Sequence, residues 1–182
     1  MEQSFSKKLI LRRLCQSDEK SFLEGLKDWE GEDLTWYTFD WHQGMDFSQL
    51  LERLDKNQRG EDIPKNFVPS TMLYAFIGEQ IVGRVSIRHE LNEALKKRGG
   101  HIGYAVAPRF RKQGYAKEML TQALSFCNSR GLSEVIITCS KDNIVSVKLI
   151  EGVNSQYIES FFDEESGEVT NRYIVSLTID EH

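Results

Sequence analysis

HIGYAVAPRFRKQGYAKEMLTQALSFC, residues 101–127, changes its period once, and that change decides the fold. Ile102, Tyr104 and Val106 alternate with Gly103 and Ala105, the period-two pattern of a strand. Pro108 lacks a backbone N–H and stops it. From Tyr115 the period lengthens. Met119, Leu120, Ala123, Leu124 and Cys127 share one helical face, and Asn128, Ser129 and Gly131 supply its stop. The unit is strand, basic glycine-bearing loop, helix.

Such a unit is a cradle for phosphate or pyrophosphate. The first turn of a helix leaves N–H groups unpaired, and its dipole favours anions. Gly114 lets a ligand approach the backbone closely. Arg109, Arg111 and Lys112 add positive charge. The loop contains neither GxxxxGK[ST] nor GxGxxG, which sets aside a P-loop and a Rossmann fingerprint.

What it contains is Val106-x-Pro108 followed by Arg111-x-x-Gly114-x-Ala116. A helix, the buried-strand run Val135 to Cys139, and then Asn143-x-x-Ser146-x-x-x-Ile150-Glu151 complete the order. This resembles motif A and the following strand and helix of the GCN5-related N-acetyltransferases, the GNAT superfamily. The stretch from Ile87 to Tyr104 is similar to a bacterial subgroup labelled only predicted acetyltransferase. The resemblance covers roughly residues 69–150. The bland alternative is an ordinary βαβ unit with a basic surface loop.

The resemblance implies an α/β fold of the GNAT type, with a mixed central sheet of about six to seven strands flanked by about four helices. It implies acetyl-CoA as acyl donor. Backbone groups of Ala105 and Val106 would pair with the pantetheine arm, with a bulge in that strand offering an oxyanion donor. Amides from Arg111 through Lys112, Gln113, Gly114 and Tyr115 to Ala116 would hold the pyrophosphate. Asn143 and Ser146 would lie near the coenzyme arm. The family's usual general acid is a Tyr in the helix after Asn143; here Ile150 stands in its place and cannot donate a proton. His101, His89, Tyr104 and Glu90 are candidates for the base, with His101 and Tyr104 foremost because they lie on the strand that would flank the acceptor. Cys139 closes an apolar strand and reads as core before nucleophile.

Length and composition agree with one soluble domain. The chain has 182 residues, 40% hydrophobic and 28% charged. No run approaches a membrane span, and the first residues lack the pattern of a secretory signal. Cys15, Cys127 and Cys139 show no disulfide or metal-ligand spacing, which suits a cytoplasmic protein without a metal. A net charge of −5 argues against nucleic-acid binding. Between Ser17 and Asp62 there are thirteen acidic residues against five basic ones, a weak pointer to a cationic acceptor.

The rest of the chain fills in around the cradle. Lys8 to Leu14 reads as a first strand and Ser17 as a helix start. Trp36, Tyr37, Phe39, Trp41 and Phe47 crowd a short acidic stretch, to line a pocket or pack on the sheet. A second helix begins at Phe47, and 57–69 reads as loop. Met72 to Ile77 and Ile81 to Arg88 form a hairpin with Val85 and Ile87 inward and Arg84, Ser86 and Arg88 outward. Residues 89–100 hold one helical turn, and 157–178 a terminal hairpin. The division expected is a cofactor core at about 70–151, acceptor-side helices at about 17–60, and that hairpin.

The function expected is direct acetyl transfer from acetyl-CoA to a primary amine of a small molecule or protein, with no membrane partner. Homodimers are frequent in the family it resembles. The rivals are a non-catalytic acyl-CoA-binding sensor, motivated by Ile150, and a nucleotide-phosphate enzyme using the same cradle.

Overall fold

The structure, a computed structural model, describes residues 8–164 and 166–177. The first seven residues and the end of the expected terminal hairpin at 178 lie outside that range.

Seven strands form two antiparallel sheets. β1 (Leu9–Arg12), β2 (Ser70–Ile77), β3 (Gln80–Arg88) and β4 (Ile102–Val106) lie in the order β1-β2-β3-β4. β5 (Glu134–Ser140), β6 (Ser155–Asp163) and β7 (Glu168–Ser176) lie in the order β5-β7-β6. Six α-helices connect them: α1 (Glu19–Gly25), α2 (Thr35–Thr38), α3 (Phe47–Arg59), α4 (Glu93–Lys97), α5 (Tyr115–Ser129) and α6 (Ile144–Glu151). The seven strands match the expected number, but they part into two sheets where β4 meets β5.

β2 is a continuous apolar run because both its faces are covered. On one face Leu73, Ala75, Val82, Val85 and Ile87 pack against Met119, Leu120, Ala123 and Cys127 of α5, and this core continues to Val135, Ile137 and Tyr173 of the second sheet. On the other face Met72, Tyr74, Phe76 and Ile81 meet Phe22, Trp29, Tyr37, Phe47 and Leu50 of the N-terminal helices.

β3 switches faces through a bulge. Ala75 pairs with Gly83 and Phe76 with Ile81, so Val82 is one residue extra. The shift turns Ile81 toward the helices and Val82 toward α5, while Arg84, Ser86 and Arg88 keep the helix-side face. Their outward direction was legible in the alternation. That face turns out to be roofed by helices, and Arg84 is only 7% exposed.

The aromatic stretch does both things expected of it. Tyr37 is fully buried, stacked on Phe22 at 5.0 Å, and donates its hydroxyl to the Phe22 carbonyl at 2.8 Å. Trp36 stays half-exposed. α3 runs to Arg59, three residues into the segment expected to be loop. It starts with an Asp46–Gln49 capping box and stops at Gly60, whose φ is +73°.

Candidate functional site

β4 is bonded to β3 along its full length, without a bulge. Gly83 pairs with Val106, Arg84 with Ala105 and Ile87 with Ile102. The flanking bonds Arg88 N–H to His101 O and Ala107 N–H to Val82 O fix the phase. Bonded pairs alternate in an antiparallel ladder, so Ala105 spends its main-chain groups on Arg84. Tyr104 and Val106 turn theirs to the opposite edge. The edge residues are therefore Tyr104 and Val106, not the expected Ala105 and Val106. The register is unbroken, so the expected bulge is absent from β4. The Val106 carbonyl accepts from Arg111 Nε at 3.2 Å, which leaves its N–H facing the edge.

That edge is free because β4 and β5 touch at one end only. His101 N–H donates to the Ile136 carbonyl at 2.7 Å, and Ile136 N–H donates to His101 Nδ1 at 2.9 Å. Gly100 makes this approach feasible: at φ +58°, a Cβ there would stand 2.4 Å from the Ile136 oxygen. Past this point the strands splay.

The loop after β4 presents a row of amides. A 3-10 turn at Pro108–Phe110 leads to Arg111, whose N–H is taken by the Pro108 carbonyl at 3.2 Å. No acceptor among the described residues takes the N–H groups of Lys112, Gln113, Gly114, Tyr115 or Ala116. Gly114 caps α5 at φ +85°, with open space where a Cβ would stand. The amide cradle thus runs from Lys112 to Ala116, one residue shorter than expected. Its arginine side chains point elsewhere. Arg111 pairs with Glu32 at 3.0 Å and Arg109 with Asp28 at 2.7 Å. They tie the acidic N-terminal segment to the loop, so the charge asymmetry of the sequence is spent largely within the fold.

Asn143 and Ser146 sit together at the start of α6, where Asn143 Oδ1 caps the helix by accepting Ser146 N–H at 3.1 Å. Tyr104 projects toward the same place. Its hydroxyl is withdrawn from solvent, next to the Ser146 side chain and near Cys139. Burial raises its pKa, against a smaller lowering by hydrogen bonding with Ser146, so it keeps its proton. Cys139 is pushed up to about 11 by burial, which fits a packed thiol and not a nucleophile. Ile150 is fully buried in the core.

His101 is not placed to act as a base. Its Nδ1 is occupied by the Ile136 N–H, which leaves the proton on Nε2. Burial lowers its pKa, against a smaller opposing contribution from the Ile136 backbone. His89 shares a hydrogen bond with Thr71 Oγ1 at 2.8 Å, and burial lowers its pKa too. Glu90 is exposed on the loop after β3 and does not line the cavity described next.

On the helix side of the splay lies a cavity of about 600 Å³, within the range of small-molecule sites. Its floor is the Arg84–Ser86–Arg88 stripe of β3. Trp36 and Phe39 form one wall, and Thr138, Ser140 and Thr170 the other. Ile102 and Gly103 of β4 border it, and the Trp36 ring stands 3.9 Å from where a Gly103 Cβ would lie. The sequence reading missed the arginines and hydroxyls of this cavity. The signal was there: a polar stripe on a strand beside β2, whose unbroken apolar run requires cover on both faces. Asp33, Asp40 and Asp46, within the acidic stretch that pointed to a cationic acceptor, are used locally. Asp33 accepts from Thr35, Asp40 pairs with Arg53 and Asp46 caps α3. None lines the cavity.

Among the described residues no helix is long and apolar enough to cross a membrane, and no group of three or more His, Cys, Asp or Glu could hold a metal.

Known proteins resemble this chain in part of its sequence and in its fold. The ribosomal protein bS18 alanine N-acetyltransferase of Haemophilus ducreyi is 30% identical over 76 residues, 40% of this chain. The match spans 52% of that relative, about half its length. Among solved structures, RimL, a ribosomal alpha-N-protein acetyltransferase in complex with coenzyme A, superposes with a TM-score of 0.64 at 20% identity, covering 96% of this chain and 97% of its own. The putative acetyltransferase yncA from Salmonella typhimurium, with acetyl-CoA, gives 0.59 at 11% identity, covering 96% and 95%. These show a shared fold. The model of the acetyltransferase (GNAT) domain matches residues 8–154, from β1 through the cradle and α6; the chain belongs to the GNAT acetyltransferase family.

Proposed function

We propose that this chain moves an acetyl group from acetyl-CoA directly to a primary amine of a small molecule or protein. One juxtaposition carries the proposal: free amides at Lys112–Ala116 lie beside the open edge of β4, and that edge borders a cavity on its far side. The names of the two solved relatives, one with coenzyme A and one with acetyl-CoA, support the choice of donor.

The cradle fits the donor's pyrophosphate. It offers backbone N–H groups, a helix N-terminus and a glycine with open space before it. Acetyl-CoA supplies an activated acyl thioester. Tyr104 and Val106 bind the donor's arm as an added strand would, through main-chain groups on the splayed edge. Asn143 and Ser146 stand at the exit of that edge. As the amine nitrogen bonds the acetyl carbon and the C–S bond breaks, the Tyr104 hydroxyl, protonated and beside Ser146, gives a proton to the leaving thiolate in place of the tyrosine absent at position 150. The proton the amine loses passes to solvent, from which Tyr104 is reprotonated. The amine enters through the cavity, where Glu168 is the one carboxylate among the lining residues.

In this reading residues 70–151 are the cofactor core, 17–60 shape the acceptor side, and β7 of the terminal hairpin helps close the cavity's other wall. All three cysteines are free, which suits a cytoplasmic enzyme.

Release of free thiol from acetyl-CoA in the presence of primary amines tests the proposal. Saturable, amine-dependent release is expected. Tight acetyl-CoA binding with no turnover on a broad amine panel would instead indicate an acyl-CoA-binding sensor.

A further inference from the structure

Arg84 is the outlier of the cavity. It sits mid-strand in β3, between the aromatic core of the N-terminal helices and the cavity floor. Its Nη1 is withdrawn from solvent and has no hydrogen-bond partner among the described residues. Tyr74, its cross-strand neighbour, gives its hydroxyl proton to the Tyr37 carbonyl.

Leaving a guanidinium buried without a counter-charge is costly. Burial lowers its pKa, but arginine still holds its proton. Natural folds rarely keep such a group unless something neutralises it. Arg88, two positions along the same face, differs in this respect. Its Nη1 is held by the Gly99 and Gly100 carbonyls at 3.2 and 2.9 Å, which positions it without neutralising it. Arg98 also lines the cavity and already pairs with Asp163 at 3.0 Å. Hydroxyls of Ser86, Thr138, Ser140 and Thr170 complete the lining, against the single rim carboxylate of Glu168. A fork of N–H donors ringed by hydroxyls is the chemistry that recognises a planar or tetrahedral oxyanion.

We infer that the acceptor amine also carries an oxyanion, a carboxylate or a phosphate, which enters the cavity and pairs with Arg84. This rests on the acetyltransferase reading for the word acceptor, but the oxyanion site itself does not. The anion on Arg84 orients the acceptor, with its amine directed to the Ile102–Gly103 border where the cavity meets the splay. The acidic composition of the N-terminal third pointed to a cationic acceptor; the cavity has the opposite preference.

Matched probes test it. Phenylalanine against phenylalaninamide, and phosphoethanolamine against ethanolamine, each differ by the anion alone, and the two pairs separate carboxylate from phosphate. Binding is measured by calorimetry on the protein without donor, and turnover by thiol release with acetyl-CoA, for the wild type, Arg84→Met and Arg84→Lys. The expected result is that one anionic member binds at least about tenfold more tightly than its neutral partner. Arg84→Met should abolish that ratio and Arg84→Lys reduce it, with acetyl-CoA affinity unchanged. Arg84→Met should fold, because removing an unpaired buried charge relieves its desolvation; a melting temperature at or above wild type confirms this. Equal binding within both pairs, or a ratio that survives Arg84→Met, overturns the inference and leaves the acetyltransferase reading intact. Anion-selective binding without any acetyl-CoA binding would remove that reading and keep the oxyanion site.

Discussion

His101 and Ile136 hold each other by two reciprocal bonds, the His101 amide to the Ile136 carbonyl at 2.7 Å and the Ile136 amide to His101 Nδ1 at 2.9 Å. This pair joins the two sheets at one end and fixes where they begin to part. A histidine that looked like a catalytic base is instead a hinge pin of the cleft.

Its protonation should weaken the fold. The folded pKa of His101 lies below its ordinary value, so the unfolded chain binds the proton more readily. Stability is therefore full above about pH 6.5 and falls as pH drops below it toward the folded pKa. His89 contributes with the same sign. Urea melts between pH 5 and 7.5 should show this loss, and the part due to His101 should vanish in His101→Leu. That variant should also cost about 1–3 kcal/mol at pH 7.5, from the stranded Ile136 N–H. A variant with the wild-type pH slope would contradict the clamp.

Tyr104→Phe separates stability from chemistry. Its hydroxyl is withdrawn from solvent with Ser146 as its neighbour, so its removal should change stability by no more than about 1 kcal/mol. If it protonates the leaving thiolate, kcat should fall by about tenfold or more while acetyl-CoA affinity holds. Unchanged kcat would assign the proton to solvent.

Gly114 should tolerate size better than it tolerates branching. There is open space at its Cβ position, and the constraint is its φ of +85°. Asn adopts such conformations readily and β-branched residues do not. Gly114→Asn should weaken acetyl-CoA binding by a few-fold, because its side chain enters the space open to the pyrophosphate, and Gly114→Val by about tenfold or more, because the strained loop, at about 1–3 kcal/mol, also misplaces its amides. Calorimetry on the two variants checks this, and equal affinities would mean the loop is not the cradle.

Much of this architecture is legible along the chain. Periodicity locates β4, α5 and β5 because each has an unbroken pattern, and the loop between β4 and α5 announces itself by its glycine and bases. What the pattern hides is direction. The alternation of Arg84, Ser86 and Arg88 marks a face without saying that helices roof it. The basic residues of the loop suggest phosphate contacts, yet Arg109 and Arg111 turn to Asp28 and Glu32, partners some eighty residues away in sequence. Likewise the parting of β4 and β5 depends on a glycine and a histidine meeting Ile136, a contact no local pattern encodes.

Calorimetric titration of the wild-type protein with acetyl-CoA, coenzyme A and ATP is the most direct test of donor and cradle together. One site of micromolar affinity for acetyl-CoA and coenzyme A, with ATP far weaker, is the predicted result. Absence of acetyl-CoA binding, or a preference for ATP, would contradict the acetyltransferase function and leave the family fold serving another chemistry.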